Sequence, residues 1–173
     1  MNYYTDLAKN TLENYLEKNE IITLPSDLPA EFYQKRAGCF VSLHTKNGDL
    51  RGCIGTYLPT QKNIADEIIN NAIAAACHDP RFLPVTKSEL NDLEYSVDIL
   101  SEPILINNLA ELDCKKFGVL VKTNDGRSGL LLPDLEGVET VEQQLFIACQ
   151  KAGINWQKEK PMIYKFIVER HRG

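Results

Sequence analysis

An Asn-Gly pair at positions 47–48 sits between two runs, 38–46 and 49–57, that alternate apolar and polar residues. Glycine accepts φ > 0 and asparagine tolerates it, so the dipeptide commits the flanking runs to an antiparallel hairpin and predicts a type I′ turn. With Asn47 and Gly48 as the two turn residues, Lys46 pairs with Asp49, His44 faces Arg51, Ser42 faces Cys53 and Phe40 faces Gly55. Alternation then places Phe40, Ser42, His44, Arg51, Cys53, Gly55 and Tyr57 on one side of the ribbon. Val41, Leu43, Leu50 and Ile54 take the other side, which is the better core face.

The rest of the chain adds helices and a second hairpin. Tyr4, Leu7, Ala8, Leu12, Tyr15 and Leu16 recur at helical spacing over 3–18, and Ala65, Ile68, Ile69, Ala72, Ile73 and Ala76 do so over 60–77, with Pro80 as the stop. Thr86 and Glu89 form a capping box, as do Thr140 and Gln143 ahead of a helix that ends near Gly153. Strands are expected at 95–100 and 162–168, and a hairpin over 117–132 around Asp125-Gly126. This pattern is α+β, mainly antiparallel hairpins with packed helices. Two hairpins, each followed by a helix, fit either an imperfect internal duplication or two common hairpins that happen to recur. No Pro/Gly/Ser-rich tract marks a linker, so residues 1–173 read as a single domain whose subdomain boundary is not visible in sequence.

Composition removes several functions. The net charge of −5 repels phosphate backbones and argues against nucleic acid. No apolar run is long enough to span a bilayer, and the first residues carry no secretory pattern, so a cytoplasmic protein without membrane attachment is expected. The five cysteines include no CxxC and the three histidines no HxxH or HxxxH. Neither a disulfide framework, a metal site nor a bound cofactor is therefore expected.

The segment Arg51-Gly-Cys-Ile-Gly55 is unusual for a strand surface. Gly52 and Gly55 flank Cys53, and strand glycines mark bulges or close backbone approach. An arginine beside a thiol favours the nucleophilic thiolate, and backbone N–H groups around the glycines could receive an anion. In the other reading Cys53 is a small half-buried residue and the glycines serve packing. His44 is a weaker candidate base. In His78-Asp-Pro-Arg-Phe82, directly after the apolar helix, Asp79 and Pro80 shape a turn while Arg81 caps carbonyls or pairs with a carboxylate. Alternatively this loop meets the hairpin, with His78 as acid or base and Arg81 as an anion contact. Cys39, Cys77, Cys114 and Cys149 read as structural.

Leu50-Arg-Gly-Cys-Ile-Gly-Thr56 resembles the signature of the AMMECR domain family, called AmmeMemoRadiSam system protein A in prokaryotes. Phe40-Val-Ser-Leu43, Ala74-Ala-Ala76, Asp79-Pro-Arg-Phe-Leu-Pro84, Ser96-Val-Asp-Ile-Leu-Ser101, Gly129-Leu-Leu-Leu-Pro133 and Cys149-Gln-Lys-Ala-Gly153 follow the family's landmarks in order. The resemblance implies two joined subdomains with a ligand cleft near the signature. It implies Arg51, Gly52, Gly55, Thr56, Asp79 and Arg81 as ligand-binding residues around Cys53. It also implies association with a Memo-type protein and a radical S-adenosylmethionine protein. It names no reaction. The expectation is an accessory or small-ligand-binding component, with a small anionic ligand; the alternative is a cysteine-dependent transferase or hydrolase using Cys53, with His78 transferring protons.

Overall fold

The computed structural model describes residues 2–173. The chain divides into two units, one made of the residues up to Leu100 together with Glu169–Gly173, the other of Ser101–Val168. The fold is α+β with antiparallel pairing throughout the strand pairs given below.

In the first unit, α1 (Tyr3–Lys18) is followed by the short α2 (Glu31–Gln34), β1 (Cys39–Thr45), β2 (Leu50–Thr56), α3 (Ile64–Cys77), a 3₁₀ turn (Lys87–Asp92) and β3 (Leu93–Leu100). The sheet order is β2-β1-β3-β8, where β8 is Val168–Arg172. Val41, Leu43, Val97 and Ile99 of the sheet, Ile64, Ile68 and Ala72 of α3, and Leu7 and Leu12 of α1 share one buried cluster. The helical spacing called α3 from residue 60; it begins later because the Asn63 side chain accepts the Asp66 N–H at 2.8 Å and so fixes the cap.

The first hairpin departs from the expected turn. Gly48 has φ of 89°, but Asn47 is not among the residues with positive φ, so the turn is not type I′. The Gly48 N–H donates to the Thr45 carbonyl at 2.8 Å and the Thr45 N–H to Asp49 at 2.9 Å, closing a three-residue loop. Pairing consequently starts one residue out of the expected register, with His44 opposite Leu50 rather than Arg51. A bulge at Arg51 absorbs the extra residue, and from Leu43 opposite Gly52 through Ser42 opposite Cys53 to Phe40 opposite Gly55 the expected register holds. The bulge also reverses Leu50, expected in the core and found 38% exposed.

In the second unit come β4 (Ile104–Leu105), a 3₁₀ turn (Leu109–Glu111), β5 (Gly118–Lys122), β6 (Ser128–Leu131), α4 (Val141–Lys151) and β7 (Met162–Phe166), with sheet order β4-β7-β5-β6. Val119, Val121, Leu131, Leu145 and Ala148 form its core. The single strand expected at 162–168 is interrupted at the exposed Ile167, and its continuation, β8, belongs to the first sheet.

Each unit repeats one ββαβ plan in detail. Gly126 closes the second hairpin as Gly48 closes the first, with φ of 92° and the matching Thr123 hydrogen bonds. Gly52 faces Leu43 and Gly129 faces Val121, two residues before the turn threonine in each case. A Cβ on Gly52 would lie 2.2 Å from the Ala75 carbonyl, and one on Gly129 lies 2.0 Å from that of Ala148. Four residues before those alanines, Asn71 donates to the Cys39 carbonyl and Gln144 to that of Phe117. One residue after them, Ala76 accepts from the Val85 N–H and Cys149 from that of Ile154. These coincidences of position select the duplication over two unrelated hairpins.

Candidate functional site

At two positions the signature strand β2 comes so close to a neighbour that only glycine fits, to α3 at Gly52 and to β1 at Gly55. The Gly52 contact with Ala75 closes one end, and a Cβ on Gly55 would stand 2.4 Å from the Cys39 carbonyl and from the Phe40 ring at the other. Between them Cys53 is half-buried. Its Sγ accepts a hydrogen bond from Ser42 Oγ at 3.1 Å, across the strand pair predicted from the turn.

The loop after α3 reaches this strand. Asp79, with a side chain 2% exposed, accepts the Cys53 N–H at Oδ2 (2.9 Å) and the Arg81 N–H at Oδ1 (3.0 Å). Arg81 closes a two-point pair on the same carboxylate, Nε to Oδ1 at 3.0 Å and Nη2 to Oδ2 at 2.7 Å, and Nη2 also donates to the Cys53 carbonyl at 3.2 Å. The Arg81 guanidinium beside Asp79 holds its carboxyl well below the usual carboxylate range, and Asp79 in turn raises the pKa of Arg81. The anion received by the glycine-flanked backbone is thus the protein's own Asp79. Arg81 joins Asp79 and Cys53 rather than the α3 carbonyls. Its side chain remains 55% exposed, with the guanidinium 5.5 Å from the Phe82 ring centroid.

Arg51 faces another way. From its bulge it pairs with Glu89 (Nε to Oε1, 2.7 Å; Nη2 to Oε2, 3.3 Å) and donates to the Leu83 carbonyl at 3.0 Å. Arg51 lowers the Glu89 pKa to about 2. Glu89 is the capping-box acid legible in the sequence; its bond to Arg51 was not, because a bulge decides where that arginine points. Thr56 donates its hydroxyl at 2.8 Å to Glu67, a fully buried acid on α3 that also binds the N–H groups of Thr60 and Gln61 and the Thr60 hydroxyl. No sequence signal pointed to Glu67, which lies within an apolar helix. His78 is the exposed C-cap of α3, its N–H donating to the Ala74 carbonyl at 2.8 Å.

The repeat sorts these groups. In the second unit Arg127 pairs with Glu159, which accepts the Asn155 N–H as Glu89 accepts that of Thr86, and Arg127 donates to the Gly153 carbonyl. The Arg51–Glu89 tie therefore recurs. Lys151 donates to the carbonyl of Leu130, the residue after Gly129, where Arg81 donates to that of Cys53. What has no counterpart is Asp79: eight residues separate Ala76 from Val85 but four separate Cys149 from Ile154, and the surplus carries the Asp79–Arg81 clamp.

Burial pushes the thiol of Cys39 up to about 12 and raises that of Cys77. Among the described residues no cluster of three or more histidine, cysteine or acidic side chains is placed to hold a metal, and no helix is long and apolar enough to cross a membrane.

The sequence matches the AMMECR1 family over residues 5–171. A Thermotoga maritima protein is 52% identical over 169 residues, covering 98% of this chain and 97% of its own length. A Clostridium acetobutylicum protein is 51% identical over 98% of this chain, which spans only 36% of that longer protein. The crystal structure of an uncharacterized protein from Pyrococcus horikoshii superposes with a TM-score of 0.89 at 32% identity, covering 99% of this chain and 90% of that one.

Proposed function

This chain belongs to the AMMECR1 family, and on that footing we propose that it is a small-ligand-binding accessory protein whose site is Cys53 with Arg81. One observation carries the reading: a buried carboxylate with both oxygens engaged pins Arg81 beside Cys53 while leaving half of that side chain in solvent. A fixed guanidinium presented this way is a receptor for a carboxylate or phosphate group. Asp79, Gly52 and Gly55 then position the pair, and Arg51 and Thr56 hold the surrounding loops through Glu89 and Glu67. The accessory role, alongside Memo-type and radical S-adenosylmethionine proteins, rests on the resemblance of the signature.

The test is the rate of Cys53 alkylation by iodoacetamide under increasing inorganic phosphate at constant ionic strength. Saturable protection that disappears in Arg81→Gln supports the site; a rate indifferent to phosphate overturns it.

The second reading, a Cys53-dependent transferase or hydrolase, draws on the half-buried Sγ and the hydrogen bond from Ser42 that fixes its position on the strand. His78 would then transfer protons. The pH dependence of the same alkylation decides it: a midpoint well below about 8.5 shifts weight to the enzyme, and a midpoint at or above that value removes it.

A further inference from the structure

The repeat leaves one surface of the second unit uncovered where the first unit covers its own. α3 is buried on two faces, since the sheet lies on one side and α1 also packs against it, against β3 and against the 3₁₀ turn at Lys87–Asp92. Glu17 of α1 pairs with Lys87 of that turn at 3.5 Å. α4 is buried on one face, through Gln144, Leu145, Ala148 and Cys149. Equivalent positions show the difference: Ile73, two residues before Ala75, is 8% exposed, while Phe146, two residues before Ala148, is 56% exposed. Lys87 and Trp156 also correspond, each two residues beyond the N–H that returns to the helix end.

At this place the second unit has a concavity of about 430 Å³, lined by Phe146, Gln150, Ile154, Trp156 and the backbone around them. That volume suits one or two large apolar side chains. Around these residues in the sequence stand three exposed lysines, Lys151, Lys158 and Lys160, against two acids, the exposed Glu142 one turn before Phe146 and Glu159, which is held by Arg127. In the first unit the helix supplies the acid and the turn the lysine; in the second, Trp156 takes the position of Lys87 and lysines follow it at 158 and 160.

We propose that this face of α4 docks an acidic amphipathic helix of a partner protein, seated on the second unit as α1 is seated on the first. Apolar side chains spaced as Leu7, Ala8 and Leu12 would enter between Phe146 and Trp156, and acids on the helix flank would meet the lysines. The proposal concerns a surface separate from Cys53 and does not depend on what binds there.

Trp156 is the chain's single tryptophan and reports on the pocket directly. The experiment titrates the whole protein with a synthetic peptide of residues 3–18 carrying Lys9→Glu and Lys18→Glu, and reads Trp156 emission. The expected result is a saturable blue shift, absent with a scrambled peptide of the same composition and weakened about tenfold or more by Phe146→Glu. Phe146 is exposed, so that variant folds, which an unchanged melting transition would document. No saturable shift, or an equal response to the scrambled peptide, overturns the proposal. A blue shift on concentrating the protein alone assigns the face to a second copy of this chain and overturns it as well.

Discussion

At the scale of single residues, Asp79 is the side chain on which the site's geometry depends. Asp79→Ala removes the acceptor of the Cys53 N–H and the partner of Arg81, and should cost about 2–3 kcal/mol in denaturant unfolding. The loss should be accompanied by release of the phosphate protection proposed for Cys53. Glu89 gives a pH signature. Its folded pKa, about 2, is depressed below the unfolded carboxylate value, so its contribution is complete above about pH 4.5 and is lost as pH falls toward 2. Acid titration of stability should therefore lose part of its slope in that window in Glu89→Gln, and an unchanged curve would show that the Arg51 tie contributes nothing. The Leu50–Thr56 signature and the 79–84 loop were both legible as segments. Their junction was one of two open readings, and the bond that makes it was not legible: Asp79 and Cys53 are twenty-six positions apart and share no local pattern.

At the scale of elements, alternation and turn chemistry predicted both hairpins; apolar spacing predicted the helix after the first, and a capping box the helix after the second. What escaped was one residue of loop length. Asn-Gly supports a two-residue turn, but here the loop takes three residues and the bulge at Arg51 restores the register beyond it. That bulge turns Leu50 outward and sends Arg51 to Glu89, so a small error in the turn becomes a wrong partner for the most conspicuous arginine. The glycines at the strand–helix contacts should be less tolerant than those in turns. Gly52→Ala and Gly129→Ala each drive a methyl into a helix carbonyl and should cost upward of about 2 kcal/mol by overpacking. Gly126→Ala meets no neighbour and should cost about 1 kcal/mol, through its positive φ alone. Thermal melts of the three variants order the effects, and equal losses would refute the close-approach account.

At the scale of the molecule, the first unit is discontinuous in sequence, because β8 returns to its sheet after the whole second unit. Nothing in 162–172 announced this, since two short strands separated by one residue read as a single longer one. Arg170 on β8 pairs with Asp98, whose side chain is 7% exposed, with Nε to Oδ1 at 2.8 Å. Truncation after Val168 should therefore leave a buried acid without that partner and lower the first unit's stability by about 2–4 kcal/mol. Cys39, fully buried in that unit, should become reactive toward thiol reagents at lower denaturant, while Trp156 in the second unit keeps its emission. The same arrangement sets an order of events during synthesis. On the ribosome the second unit has all of its strands before β8 exists, so the sheet that carries Cys53 remains one strand short until translation has passed residue 172. During that interval β3 presents an open edge, and a nascent chain with an open edge is exposed to mispairing.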